Sequence, residues 1–160
     1  MKILVATLLA LLPGSALPAT PLWLLASPDG RCVISVSLND TGDLSYQVQR
    51  EGKPVILDSP LGLRRQDAAF DHGLQFVGAG EPESRRESYD LFAGGASHVD
   101  HAVKRRTLVF RTAGGARIVI ELAASDEGVA FRYRFPEPNP GVRVLQAELT
   151  AFTVSTAARG

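Results

Sequence analysis

The chain has 160 residues, 45% of them hydrophobic, and its 17 Lys and Arg balance its 17 Asp and Glu. That balance excludes the cationic footprint of a nucleic-acid or anionic-membrane binder. The single Cys32 excludes an intrachain disulfide, and the length suffices for one domain with its own core.

Met1-Lys2, the apolar run Ile3 to Leu12, the break at Pro13-Gly14 and the small residues Gly14-Ser15-Ala16 form the three-part pattern of a secretory signal peptide. Residues 1–19 are assigned to it, with cleavage after Ala16 or Ala19. The apolar run is about half of what a bilayer span needs. The expectation is an exported protein, periplasmic or secreted, with no membrane association after cleavage. The lack of disulfides suits a bacterial periplasm at least as well as an extracellular space.

Beyond this segment the pattern is strand, turn, strand. Trp23, among Leu22, Leu24 and Leu25, is expected to cap the core. Ser27-Pro28-Asp29-Gly30 is a turn, with Pro and Gly at positions that suit them. Ile34, Val36 and Leu38 then alternate with Val33, Ser35 and Ser37. After the turn Asn39 to Asp43, Leu44, Tyr46 and Val48 alternate with Ser45, Gln47 and Gln49. Glu51-Gly52-Lys53 turns again into Pro54 to Leu57, so Arg31 to Leu57 reads as a three-stranded antiparallel meander.

Ser59 to Leu63 reads as an apolar connector, and Leu74 to Val77 as a short strand. From Glu81 to Arg105 the chain is polar and lacks a clear period, which suggests a long functional or mobile loop or an irregular strand. Strands are expected again at 107–111, 117–122, 129–135, 142–145 and 148–154. At the third of these, Asp126-Glu127-Gly128 turns into a strand whose Val129, Phe131, Tyr133 and Phe135 share one face and Ala130, Arg132 and Arg134 the other. No i, i+3, i+4, i+7 pattern persists over three turns. The fold class is therefore all-β, an antiparallel β-sandwich over residues 27–154, followed by a disordered tail at 155–160.

Few residues suggest chemistry. His98 and His101 read as exposed loop histidines; on a strand, residues three apart face opposite ways and do not chelate together. Asp126-Glu127 reads as a solvated turn, because adjacent turn residues seldom aim at one point and glycoside cleavage needs two carboxyls facing each other across a substrate. Glu148 reads as an outward strand charge, and Cys32 as a small buried hydrophobe. Arg132 and Arg134 either face solvent or pair with carboxylates of a neighbour. Trp23, Tyr89 and Phe92 are the aromatics that a sugar-binding role would use. No catalytic, cofactor-binding or metal-binding residue is assigned.

Ser27-Pro28-Asp29-Gly30, Leu44-Ser45-Tyr46, Gly52-Lys53-Pro54-Val55, Ser59-Pro60-Leu61-Gly62-Leu63, Asp126 to Tyr133 and Glu148-Leu149-Thr150-Ala151-Phe152 occur in that order. Together they resemble the N-terminal domain of glycoside hydrolase family 97. The resemblance implies part of a β-supersandwich that leads into a (β/α)₈ barrel bearing the catalytic carboxylates. It also implies a periplasmic or secreted hydrolase of α-glucosides or α-galactosides, retaining or inverting, with calcium held by glutamates near the active site of the complete enzyme. Gly160 comes before any stretch that forms a barrel of about 250 residues. The expectation is thus a non-catalytic fragment, truncated before the barrel, with no calcium in this chain and with unpaired edges prone to self-association. The alternative is a stand-alone exported module that binds carbohydrate or a partner protein.

Overall fold

The computed structural model describes residues 22–90, 98–138 and 141–155. The expected signal peptide lies outside them, as do Leu91, Phe92 and all of the expected tail but Ser155. Every regular element among the described residues is a β-strand: β1 (Leu22–Ala26), β2 (Cys32–Leu38), β3 (Leu44–Arg50), β4 (Lys53–Leu61), β5 (Leu63–Arg65), β6 (Gln75–Ala79), β7 (Glu83–Asp90), β8 (His98–Arg111), β9 (Arg117–Ser125), β10 (Gly128–Arg134) and β11 (Leu145–Glu148).

The first sheet is an antiparallel meander in the order β1-β2-β3-β4. Its alternation is that of the sequence: Ile34, Val36, Leu38, Leu44, Tyr46 and Val48 are buried, and the serines between them are half-buried on the other face. The β3–β4 hairpin closes on two residues, Glu51 and Gly52, both at positive φ (52° and 74°). That left-handed pair matches the twist of the flanking strands. β1 adds a fourth strand ahead of the expected three, with Trp23 and Leu25 buried and Leu22 and Leu24 exposed.

The second sheet has the order β10-β9-β8-β6, with β7 also on β8. β8 is long enough to hold two partners along one edge, β6 beside 108–111 and β7 beside 98–105. β9 joins β8 only from Val103 onward, so the far end of the β7–β8 hairpin projects as a two-stranded arm. Of the two readings of 81–105, a loop or an irregular strand, the strand is the one that forms. Its strands are polar on both faces and have no apolar period. Cross-strand charge pairs organise them instead, Arg86 with Asp100 at 2.7 Å and Arg105 with Glu87.

Leu108, Phe110, Ile118, Ile120 and Leu122 of the second sheet meet the first sheet in one core. Trp23 lies 4.6 Å from Phe76 and 5.4 Å from Phe110, ring to ring, and seals the side where β1 lies over β8 and β9. A small third sheet, β5 with β11, caps one end. Two strand assignments need correcting. Ser59 to Leu61 continues β4 rather than forming a connector. Of the strands expected at 142–145 and 148–154, only Leu145–Glu148 is regular. Residues 149–153 follow the β4 edge irregularly, through Leu149 N–H to Gly62 O, Ala151 N–H to Pro60 O and Leu57 N–H to Thr153 O. Pro54 and Pro60 give β4 no N–H at those points, which prevents an unbroken ladder.

Candidate functional site

Two concave regions stand out among the described residues. The larger, of about 700 Å³, is an apolar groove between the inner faces of β3 and β4 and the edge strand β10. Tyr46, Phe131 and Phe152 form its aromatic wall, with Tyr46 and Phe131 centroids 5.2 Å apart and Phe131 and Phe152 stacked at 6.5 Å. Phe152 is still 66% exposed. At one end the Tyr133 hydroxyl shares a 2.6 Å hydrogen bond with Thr150 Oγ1, and Thr150 also donates to Glu148. Burial drives the Tyr133 phenol up to about 12, against the opposing hydrogen bond with Thr150. At the other end Arg50 donates to the Glu127 carbonyl at 3.3 Å.

The smaller region, of about 500 Å³, is polar and lies on the outer face of the second sheet, between Glu83, Arg85, Arg105, Thr107, Glu121 and Arg132. Within it Glu83 pairs with Arg85, and Arg105 pairs with Glu87. Arg132 and Arg134 both reach across to Glu121 on the neighbouring β9, each with Nε at 2.6 Å. Burial raises the Glu121 pKa, but the two guanidiniums outweigh it and hold the carboxyl below its ordinary range. Both sequence alternatives for these arginines therefore hold at once, an exposed face and a carboxylate neighbour.

The residues weighed for chemistry are dispersed. His98 and His101 stand on β8 in the arm, not in a loop, and on opposite faces. His98 Nδ1 lies 2.7 Å from Asp90 and its Nε2 3.1 Å from Ser88, whereas His101 Nε2 is 3.9 Å from Glu87. Tyr89 meets His101 edge to face at 6.0 Å, Trp23 is in the core, and Phe92 lies outside the described residues. Cys32 is buried, with Arg50 Nη1 at 3.6 Å from its sulfur.

Asp126 and Glu127 form the β9–β10 turn as expected, but Asp126 has a tertiary role that the sequence does not reveal. Its Oδ1 accepts the Asp29 N–H at 2.9 Å and ties this turn to the Ser27–Gly30 turn of the first sheet. Within that second turn the Ser27 hydroxyl, the Arg31 N–H and the Arg31 side chain hold the Asp29 carboxyl far below its usual range. Glu148 accepts a hydrogen bond from Thr150 Oγ1. Among the described residues no three His, Cys, Asp or Glu side chains gather as a metal site.

Comparison with known proteins agrees with this geometry. The family described as Glycosyl-hydrolase 97 N-terminal matches residues 25–159. A probable retaining alpha-galactosidase of Streptomyces bingchenggensis (strain BCW-1) is 33% identical over 157 residues, which span 96% of this chain and 24% of the relative. A glycoside hydrolase family 97 enzyme from Pseudoalteromonas sp. strain K8, solved in complex with panose, superposes with a TM-score of 0.72 at 25% identity, over 84% of this chain and 20% of that one. A beta-arabinopyranosidase shares the fold, with a TM-score of 0.76 at 22% identity over 83% of this chain and 21% of its own length. The chain thus spans about a quarter or less of each relative. With its two-sheet architecture and the match running across nearly all of the described residues, the chain belongs to glycoside hydrolase family 97, of which it is an N-terminal domain.

Proposed function

We propose that the chain works as the structural, non-catalytic N-terminal module of an exported glycosidase acting on α-galactosides or α-glucosides, with the catalytic groups supplied by other parts of that enzyme. The observation that carries this reading is the family match over residues 25–159, at the N-terminal part of longer hydrolases. The substrate class follows from the relative named as an alpha-galactosidase and from the family 97 enzyme solved with panose. In this reading calcium is bound only in the complete enzyme.

The test compares two proteins on p-nitrophenyl α-galactoside and α-glucoside. The chain alone is expected to give no turnover, and the chain joined in frame to a family 97 barrel is expected to be active. Turnover by the chain alone would overturn the reading. Export is tested by sequencing the mature N-terminus, expected at Leu17 or Thr20; a product that retains Met1 refutes it.

A further inference from the structure

Along the arm, β7 and β8 keep an unbroken antiparallel register. Asp90 lies directly across from His98, and Ser88 lies one diagonal step away, across from Asp100. Side chains alternate along each strand, so positions 88, 90, 98 and 100 share one face. β9 pairs with β8 only from Val103 onward, so among the described residues no third strand borders this section.

The side chains on that face form a relay. His98 Nδ1 lies 2.7 Å from Asp90 Oδ1, and its Nε2 lies 3.1 Å from Ser88 Oγ. An ionised carboxylate only accepts, so Nδ1 carries a proton. In the neutral ring Nε2 is then the acceptor, and the Ser88 hydroxyl donates to it. Hydroxyl, imidazole and carboxylate thus stand in the order, and the imidazole in the tautomer, of a nucleophile, its base and the group that orients the base. Asp100, the carboxylate across from Ser88, is occupied elsewhere: Arg86 holds its two oxygens in a fork at 2.7 and 2.8 Å. That fork also brings a guanidinium to the side of the hairpin facing Ser88, with Nη1 left outside it.

We propose that Ser88 is the nucleophile of a hydrolytic site on the arm, which takes acyl groups from small carboxylic esters. Ser88 Oγ attacks the ester carbonyl while its proton passes to His98 Nε2. The ester C–O bond then breaks, and the departing alcohol takes that proton. Water repeats the sequence on the seryl ester, releasing the carboxylic acid and restoring the hydroxyl. Arg86 supplies positive charge toward the carbonyl oxygen as it becomes anionic. Asp90 is a positioning residue that acts through His98. The side chains of His98 and Asp90 are 57% and 84% exposed, which favours short acyl groups such as acetyl that need no binding pocket. Solvent at the relay keeps its turnover slow. The proposal rests on the arm alone and concerns an ester, not a glycosidic bond, so its failure is distinct from failure of the reading above.

The test treats the full chain with p-nitrophenyl acetate, follows p-nitrophenolate release and locates the acetylated residue by peptide mass spectrometry. One acetyl group per chain is expected on Ser88 in a rapid phase, followed by slower turnover. Ser88→Ala should abolish the rapid phase, and His98→Gln should slow it about 100-fold. Asp90 is well exposed, so Asp90→Asn should slow it only about tenfold. The same variant should move the neutral His98 proton from Nδ1 to Nε2 in imidazole nitrogen NMR, a signature that a merely structural contact would not couple to the rate. Acetyl carried by His98 itself, or a rapid phase that survives Ser88→Ala, overturns the proposal. So does an unchanged rate in His98→Gln, or a wild-type His98 whose neutral ring carries its proton on Nε2.

Discussion

Replacing Arg65 with methionine should lower the stability of the sandwich by about 3 kcal/mol. The Arg65 side chain is only 2% exposed, yet it carries a full charge between two aromatic rings. Its guanidinium lies 4.4 Å from the Phe135 centroid and 5.2 Å from that of Phe70. It donates in forked fashion to Glu137 at 2.9 and 3.2 Å and to Asp67 at 2.9 and 3.0 Å. Methionine keeps the apolar stem and deletes the charge. Breaking a fully buried pair costs about 3–5 kcal/mol; Glu137 retains some solvent, so about 2 kcal/mol is assigned to its loss. The cation–π contacts add about 1 kcal/mol. Asp67 is left out, because it is well exposed and keeps Arg143. For a domain of this size the loss corresponds to a Tm drop of roughly 10 °C.

Calorimetry and urea denaturation measure the effect, and an Arg65→Met/Glu137→Gln double variant should recover at least about 1 kcal/mol. A pH arm checks the cause. Arg65 holds the carboxyls of Glu137 and Asp67 below their ordinary range. Their contribution is therefore present above the unfolded carboxylate pKa, near pH 4–4.5, and is lost as pH falls through the lower folded values. The variant should lose part of that acid dependence. A stability loss below about 1 kcal/mol, or an unchanged acid limb, would refute the reasoning and leave solvent screening in command of the site.

Three further outcomes follow from the backbone and the groove. Gly42→Ala should cost about 3–5 kcal/mol in urea denaturation, because Gly42 has φ +78° and a Cβ there would lie 2.4 Å from Leu74 N, against backbone that cannot swing away. Glu51→Gly should raise stability by about 0.5–1 kcal/mol by relieving a left-handed non-glycine residue, and a loss would show that the exposed Glu51 contact with Arg31 outweighs the strain. Ultraviolet titration should find the Tyr133 phenol ionising near 12. Because its folded pKa is raised, its stabilising contribution is complete below about pH 10 and declines as pH rises toward 12. Tyr133→Phe should flatten the alkaline limb.

The meander was legible wherever one face is apolar and the other is not. Ile34-Ser35-Val36-Ser37-Leu38 needs nothing beyond its own alternation, and Phe131-Arg132-Tyr133-Arg134 likewise. β1 escaped because Leu22 and Leu24 are apolar on the exposed face, which erases the period that Trp23 and Leu25 set. The arm escaped for the opposite reason: Glu83 to Asp90 is polar on both faces, and its strand character comes from partners on β8. At the site, the turn at Asp126 followed from its own residues. Its bond to Asp29, 97 positions earlier, could not, since no local pattern encodes where a distant turn will lie. The groove is further still from the sequence, because it exists only through the offset between two sheets.

The reach of these long bonds sets an order of assembly. β1 to β4 pair with their immediate neighbours along the chain, so the first sheet closes short loops and can form early. Its ties to the second sheet span far more chain: Ser27 O to Lys104 over 77 positions, Leu24 O to Arg106 over 82 and Asp29 to Asp126 over 97. None can form until β8 and β9 have been brought back across the meander. High contact order of this kind slows folding into the range of milliseconds to seconds. In a chain that emerges from its N-terminus, the meander waits with Tyr46 and Val48 uncovered until the later strands arrive, and that interval is when a holding chaperone has something to hold.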